Sequence, residues 1–324
     1  MIDINYIRTD KRKLTNAFRY TLILMMISML VLDPERVSRS VYGSVVFCGK
    51  TLIPSLFPMI VLSRMTVSSG LAGAVGKAFG GFHERLFGIS RMTAPAFLTG
   101  LISGYPAGAL CAVSLYEKGM ITKSEAETAL CFCSNTGMSF LVIGVGGMLG
   151  GAAYGIVLFA AQSAAAAAVG ILFSRMQRRE RGERKECAGP AGINADVSVF
   201  PEAIRSAVPA MFTVCGSVIF CSAFIDTALA PVSGLLPGAA ESLIRGFFEM
   251  SRGIAAAASS LPKRASVPVI AALSAWSGAS VHMQISAFTR ASGLSLKKYY
   301  SAKAVTALLC PAAAYGLCRL FSLI

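Results

Sequence analysis

Two apolar runs, residues 92–116 and 266–290, are each long enough to cross a bilayer, and each is interrupted near its middle by Ser-Gly. The first interruption reads Ser103-Gly104-Tyr105-Pro106-Ala107-Gly108 and the second Trp276-Ser277-Gly278-Ala279-Ser280-Val281-His282. Acyl chains cannot receive free backbone N–H and C=O groups. A helix broken at membrane depth therefore persists only where protein or a wet cavity takes those groups up. Two breaks at corresponding places point to the binding site of a transporter.

The rest of the chain agrees with a membrane setting. Of its 324 residues, 55% are apolar and 14% charged, a balance unlike that of a soluble domain. About ten runs of roughly 17–25 residues qualify as spans: 14–32, 40–63, 65–82, 92–116, 127–148, 150–174, 203–230, 231–250, 266–290 and 299–322. The expected fold is all-α, a polytopic membrane protein of about ten helices. The first run follows a basic segment, as a signal peptide would. Its length and the lack of a small-residue cleavage site favour a retained helix.

The net charge of +14 sits mainly between apolar runs. Its two main clusters are Arg8, Lys11, Arg12 and Lys13, and Arg175, Arg178, Arg179, Arg181, Arg184 and Lys185. Such residues set orientation, and no aromatic-interleaved basic face suits nucleic acid. Nine cysteines are present, none in a C-x-x-C pair. They read as small buried hydrophobes, so neither a metal nor a cofactor is expected.

Placing both basic clusters in the cytoplasm puts the amino terminus inside and residues 33–40 outside. The chain then returns to the inner side by residue 174 after an odd number of crossings, and the second half starts on the side opposite to the first. I-x-S-x-x-P recurs at 53–58 and 204–209. S-G-x14-G-x3-K recurs as Ser103-Gly104, Gly119, Lys123 and as Ser277-Gly278, Gly293, Lys297. The expected organisation is a basic amino terminus and first helix (1–33), one repeat (40–174), a basic cytoplasmic linker (175–199) and a second, inverted repeat (200–324), with substrate between the repeats. Two features fit poorly. Arg290, Lys297 and Lys298 fall outside, and the 231–250 run carries Glu241, Arg245 and Glu249 as one helical stripe that cannot face lipid.

The stretch Gly100-Leu101-Ile102-Ser103-Gly104-Tyr105-Pro106-Ala107-Gly108-Ala109 resembles the YlbJ family of sporulation integral membrane proteins, within the nucleoside-recognition Gate domain group. So do Glu117-Lys118-Gly119, Ile121-Thr122, Glu125-Ala126-Glu127, Leu56-Phe57-Pro58, Ser134-Asn135, Gly246-Phe247-Phe248-Glu249-Met250 and the stretch from Ser277-Gly278 to His282-Met283-Gln284. The resemblance runs from about residue 44 to 320. It implies an alternating-access carrier built of inverted Gate repeats, moving dipicolinate, a small aromatic dianion, from mother cell to forespore across a bacterial membrane. Where the family has paired asparagines, this chain has Asn135-Thr136, with half the amide donors.

The candidate substrate contacts carry two readings each. Ser103, Gly104, Tyr105, Pro106 and Gly108 form a break whose half-helix amino terminus aims N–H groups at a carboxylate, or a plain proline kink. Ser277, Gly278, Ser280, His282 and Gln284 form its counterpart. His282, the one histidine inside a span, contacts ligand or proton, or is an interior hydrogen-bonding group. Asn135, Thr136 and Ser139 line a cavity or join helices. Glu249 meets substrate or proton, or pairs with Arg245. Lys50 attracts an anion or snorkels to the interface. No nucleophile with a placed base and no His-Glu-x-x-His appears, so an enzyme is not expected. The glycine cluster near 144–151 is followed by no Gly-Lys-Ser/Thr, which excludes a phosphate loop.

The sequence thus points to a carrier of a small organic anion embedded in the lipid bilayer, and homo-oligomers are allowed. A nucleoside or nucleobase transporter and a non-transporting scaffold of an envelope or sporulation complex stand as alternatives.

Overall fold

The structure is a computed structural model that describes residues 20–21, 23–180 and 199–324. The amino-terminal basic cluster and most of the 175–199 linker lie outside those residues. Among the described residues the chain is helical, without strands. In order the helices are α1 (Ile23–Leu32), α2 (Pro34–Phe47), α3 (Ile53–Ser68), α4 (Leu71–Phe87), α5 (Ala94–Ile102), α6 (Ala107–Glu117), α7 (Lys123–Cys133), α8 (Gly146–Met148), α9 (Ala152–Glu180) and α10 (Val199–Leu229). They continue with α11 (Gly238–Phe248), α12 (Met250–Ser260), α13 (Lys263–Trp276), α14 (Gly278–Arg290) and α15 (Lys297–Leu320).

Among the described residues, four stretches are long and apolar enough to cross a membrane: Pro34–Ser68, Ala152–Met176, Val199–Val232 and Lys297–Leu320. The first joins α2 to α3 through a π-helical segment, Cys48–Leu52. Pro54 explains it: a proline lacks the N–H and its ring clashes with the carbonyl four residues back, so the chain loosens by one residue instead of stopping. Lys50, within this segment, is exposed at the surface.

The expected count of about ten through-going helices gives way to these long ones and a set of half-length helices. Runs 92–116 and 266–290 are each two helices, α5/α6 and α13/α14. Run 127–148 is also broken, since residues 134–137 are non-helical between α7 and a π-helical segment at Phe140–Val145. Run 231–250 does not span. It contains a turn with Gly234 at φ 84 and then α11, which folds back on α12 as a hairpin.

The repeated S-G-x14-G-x3-K motif has a backbone counterpart. Gly104 and Gly278 sit at φ 78 and 81, and Gly119 and Gly293 at φ 69 and 65, the left-handed region that glycine enters without a Cβ penalty. The motif lysines Lys123 and Lys297 open α7 and α15. The two copies, however, run the same way. Ser292 Oγ donates to Glu117 Oε1 at 2.6 Å and the Ser295 N–H to Glu127 Oε1 at 2.8 Å, so the two glycine turns lie side by side. At the other end Thr136 Oγ1 donates to the Ser274 carbonyl at 2.9 Å, which brings the breaks together. An inverted pair would put equivalent turns on opposite faces, so the inverted relation does not hold for these segments.

This geometry also removes the misfit of Arg290, Lys297 and Lys298. Helix α9 packs along α15. Its start is tied to the end of the chain, with Tyr154 Oη donating to the Leu323 carbonyl at 2.6 Å. Gln162 then reaches the Thr136 carbonyl at 3.2 Å, so α9 runs antiparallel to α15. Its last turns, with Arg175, thus lie at the same end as Arg290, Lys297 and Lys298.

Candidate functional site

Four interruptions of the helices converge among the described residues. In the first, α5 ends at Ile102 and α6 begins at Ala107. The Tyr105 N–H donates to the Asn135 carbonyl at 2.7 Å and the Gly108 N–H to the Gly104 carbonyl at 3.2 Å. These donors are therefore taken up by protein. The expectation that the start of α6 presents them to a carboxylate is corrected: α6 is buried on all sides through Leu115. Gly104 is required here twice over, by its φ and by space, because a Cβ would stand 2.2 Å from the Gly137 nitrogen. Gly108 abuts the Cys133 carbonyl at 2.1 Å in the same sense. Pro106, with no N–H to satisfy, stands just before α6.

The second interruption, Ser134 to Gly137, follows α7. A capping box of Thr122 and Glu125 opens that helix, which gives the Ile121-Thr122 and Glu125 elements a structural role. Asn135 Nδ2 donates to the Phe132 carbonyl at 2.7 Å, so its amide holds the end of its own helix. Thr136 reaches across to Ser274.

The third interruption is Glu249 itself. Helix α11 stops at Phe248, Glu249 is extended (φ −138, ψ 111), and its carboxylate caps α12 by accepting the Arg252 N–H at 2.9 Å and the Ser251 hydroxyl at 2.5 Å. The expected stripe of Glu241, Arg245 and Glu249 is thus cut. Arg245 pairs with Glu241 and with Asp226 at 2.7 Å, not with Glu249. The signal that sequence reading missed is local: a carboxylate just before Met250-Ser251-Arg252 is a good N-cap.

In the fourth, Ser277 stands alone between α13 and α14 in the left-handed region, with φ 79. Gly278 packs on the third interruption, its Cβ direction meeting the Met250 nitrogen at 3.0 Å. Trp276 stacks on Phe247 at 5.3 Å between ring centroids and so fastens α13 to α11.

A cavity of about 480 Å³ opens among these breaks. Of the expected contacts it is lined by Ser103, Tyr105, Thr136, Ser139, Glu249 and Gln284, with apolar walls that include Phe47, Phe140 and Val214. Ser103 Oγ and Gln284 Oε1 are buried there without a hydrogen-bond partner. Unpaired polar groups at such depth carry a desolvation cost that a bound solute or water would relieve. Gly104, Pro106, Gly108, Asn135, Ser277 and Gly278 shape the wall from behind and are not lining residues. His282 also stands back. Its Nδ1 lies 2.9 Å from Tyr299 Oη, and its ring packs on Trp276 at 4.5 Å.

The group the sequence reading passed over is Lys303 on α15. It is 2% exposed, and its Nζ donates to the Ser134 carbonyl and to Ser277 Oγ, the latter at 3.2 Å. A lysine four residues past the start of the last apolar run was the available signal. Near the cavity, a charged cluster ties α2, α10, α11 and α12 together. Asp226 accepts from Ser40 at 2.6 Å and pairs with Arg245 and Arg252. At its outer edge the Arg36 guanidinium holds the Asp33 carboxyl below its usual range.

Comparison with curated proteins finds a relative. Over 149 residues the chain is 28% identical to the sporulation integral membrane protein YlbJ of Bacillus subtilis (strain 168). The match spans 46% of this chain and 35% of that protein. No family model matches the chain, and no solved structure does. The chain is accordingly a multi-pass, all-helical membrane protein similar to a sporulation integral membrane protein.

Proposed function

We propose that the chain is a carrier for a small polar solute, held in the cavity where its four broken helices meet. The observation that carries this reading is that cavity, with the unpartnered Ser103 Oγ and Gln284 Oε1 and with Glu249 among its lining residues. Half-helices that end at one place and are joined by side-chain hydrogen bonds form a site that can open to one face and then the other. The end holding Arg175, Arg290, Lys297 and Lys298 is then cytoplasmic by the positive-inside rule.

Charge narrows the substrate. Glu249 is the one carboxyl among the described lining residues, and no lysine, arginine or histidine is among them. An organic anion such as dipicolinate therefore enters with a proton on Glu249. Titratable groups that interact electrostatically with that carboxyl are Tyr105, Cys48, Cys221 and Arg252. The Arg252 guanidinium is turned away toward Ser40, Ser44 and Asp226. A neutral nucleoside needs no such proton, and the lack of a lining cation is the specific observation in favour of that second reading.

Uptake of dipicolinate and of uridine into proteoliposomes, at mildly acidic and at neutral pH, tests the proposal. Acid-stimulated dipicolinate uptake that becomes pH-independent in Glu249→Gln is the expected result. Uridine uptake without dipicolinate uptake selects the nucleoside reading. Absence of both, together with co-purification of a fixed partner, replaces the carrier by a scaffold.

A further inference from the structure

Lys303 is the feature that the carrier reading leaves unused. Its side chain is almost fully buried, and no carboxylate pairs with it among the described residues. A lone ammonium away from water costs several kcal/mol unless oxygen atoms replace its hydration shell. Here they come from helix ends. Helix α7 ends at Cys133 and α13 at Trp276, and the ammonium reaches the Ser134 carbonyl beyond the first and the Ser277 hydroxyl beyond the second. Helix carboxyl ends carry negative partial charge and favour a cation. Two further hydroxyl oxygens nearby, Ser134 Oγ just past α7 and Ser274 Oγ in the last turn of α13, are buried without a hydrogen-bond partner.

Carbonyl and hydroxyl oxygens at the carboxyl ends of broken helices are the ligand set by which membrane carriers hold an alkali cation. We propose that Lys303 is a tethered cation: its ammonium fills an alkali-metal-type oxygen site formed by the ends of α7 and α13 and thereby clamps the second interruption to the fourth. Lysine reaches the site from α15, whose start is fixed by the Glu127–Ser295 bond. The clamp thus joins the end of α7, the helix that follows the first copy of the repeated motif, to the break of the second copy through one ammonium. Deleting the side chain beyond Cβ leaves the oxygens in place and opens room for a free monovalent cation, whereas an isosteric neutral side chain fills the room and supplies no charge.

The test is thermal unfolding of the purified full chain in detergent, which needs no transported solute and so succeeds or fails independently of the carrier reading. The wild type is expected to melt alike in sodium, potassium and choline chlorides. Lys303→Ala is expected to melt lower in choline and to recover saturably with sodium or n-propylammonium. Lys303→Met is expected to melt low in every salt. Recovery of Lys303→Ala by neither cation, or a Lys303→Met variant that melts like the wild type, overturns the proposal. Should neither variant fold, Ser277→Ala carries the test by removing one oxygen of the site. Lower melting in all salts supports the clamp, and unchanged melting overturns it.

Discussion

The two Ser-Gly interruptions share a motif and a left-handed glycine, yet they do different work. At the first, four residues, Ser103 to Pro106, leave the helix, and two of them, Ser103 and Tyr105, reach the cavity. At the second, only Ser277 stands outside the helices, and its hydroxyl turns to Lys303 instead. Helix α14 still serves the cavity, but one turn further on, through Val281 and Gln284. The contrast shows that the motif supplies a way to stop a helix at depth, and the neighbours of each stop decide what it is used for.

Substituting the two glycines breaks the comparison most strongly. Gly104→Ala drives a Cβ into backbone at 2.2 Å from the Gly137 nitrogen. With left-handed strain added, it is expected to lose about 3–5 kcal/mol of stability. Gly278→Ala meets its nearest atom at 3.0 Å, and is expected to lose about 1–2 kcal/mol, mostly strain. Thermal unfolding of both variants side by side measures the difference. Equal losses would mean that the first break is no more tightly enclosed than the second.

The serines sharpen the division of labour. Ser103→Ala removes a hydroxyl that has no protein partner, so melting is expected to stay unchanged. Solute affinity is expected to fall by about 0.5–1.5 kcal/mol, roughly 2–10-fold, read by calorimetric titration of the transported solute. Ser277→Ala is expected to show the reverse pattern, with lower melting and unchanged affinity. The smallest effect belongs to His282→Phe. It keeps the ring packing on Trp276 and gives up one bond to Tyr299, with an expected cost of about 1 kcal/mol and no change in solute binding. A large loss of affinity would put the imidazole back in the site.

Reading outward from residues, the breaks at 103–108 and 277–278 were legible because glycine, proline and apolar length act on the chain locally. The through-going helices that match runs 40–63, 150–174, 203–230 and 299–322 were legible for the same reason. The break at 134–137 was hidden, since Asn135 and Thr136 look like polar points in an apolar run until a second break is found opposite. Glu249 misled for a related reason. A spacing of four residues suggests one helix face, and nothing local says that the helix ends at Phe248 so that the carboxylate caps the next one.

The direction of the repeat was invisible in another way. Charge counting assumes that each apolar run crosses the bilayer once, and half-helices void that assumption. Sequence alone determined that this is an all-helical membrane chain with two matched interruptions, because hydropathy and backbone permissiveness are properties of short segments. Only the tertiary structure decided that four interruptions meet, that the copies run in the same direction, and that a lysine from the last helix stands among them. Those facts depend on which distant oxygens and nitrogens find each other once water is gone, and no short segment carries that information.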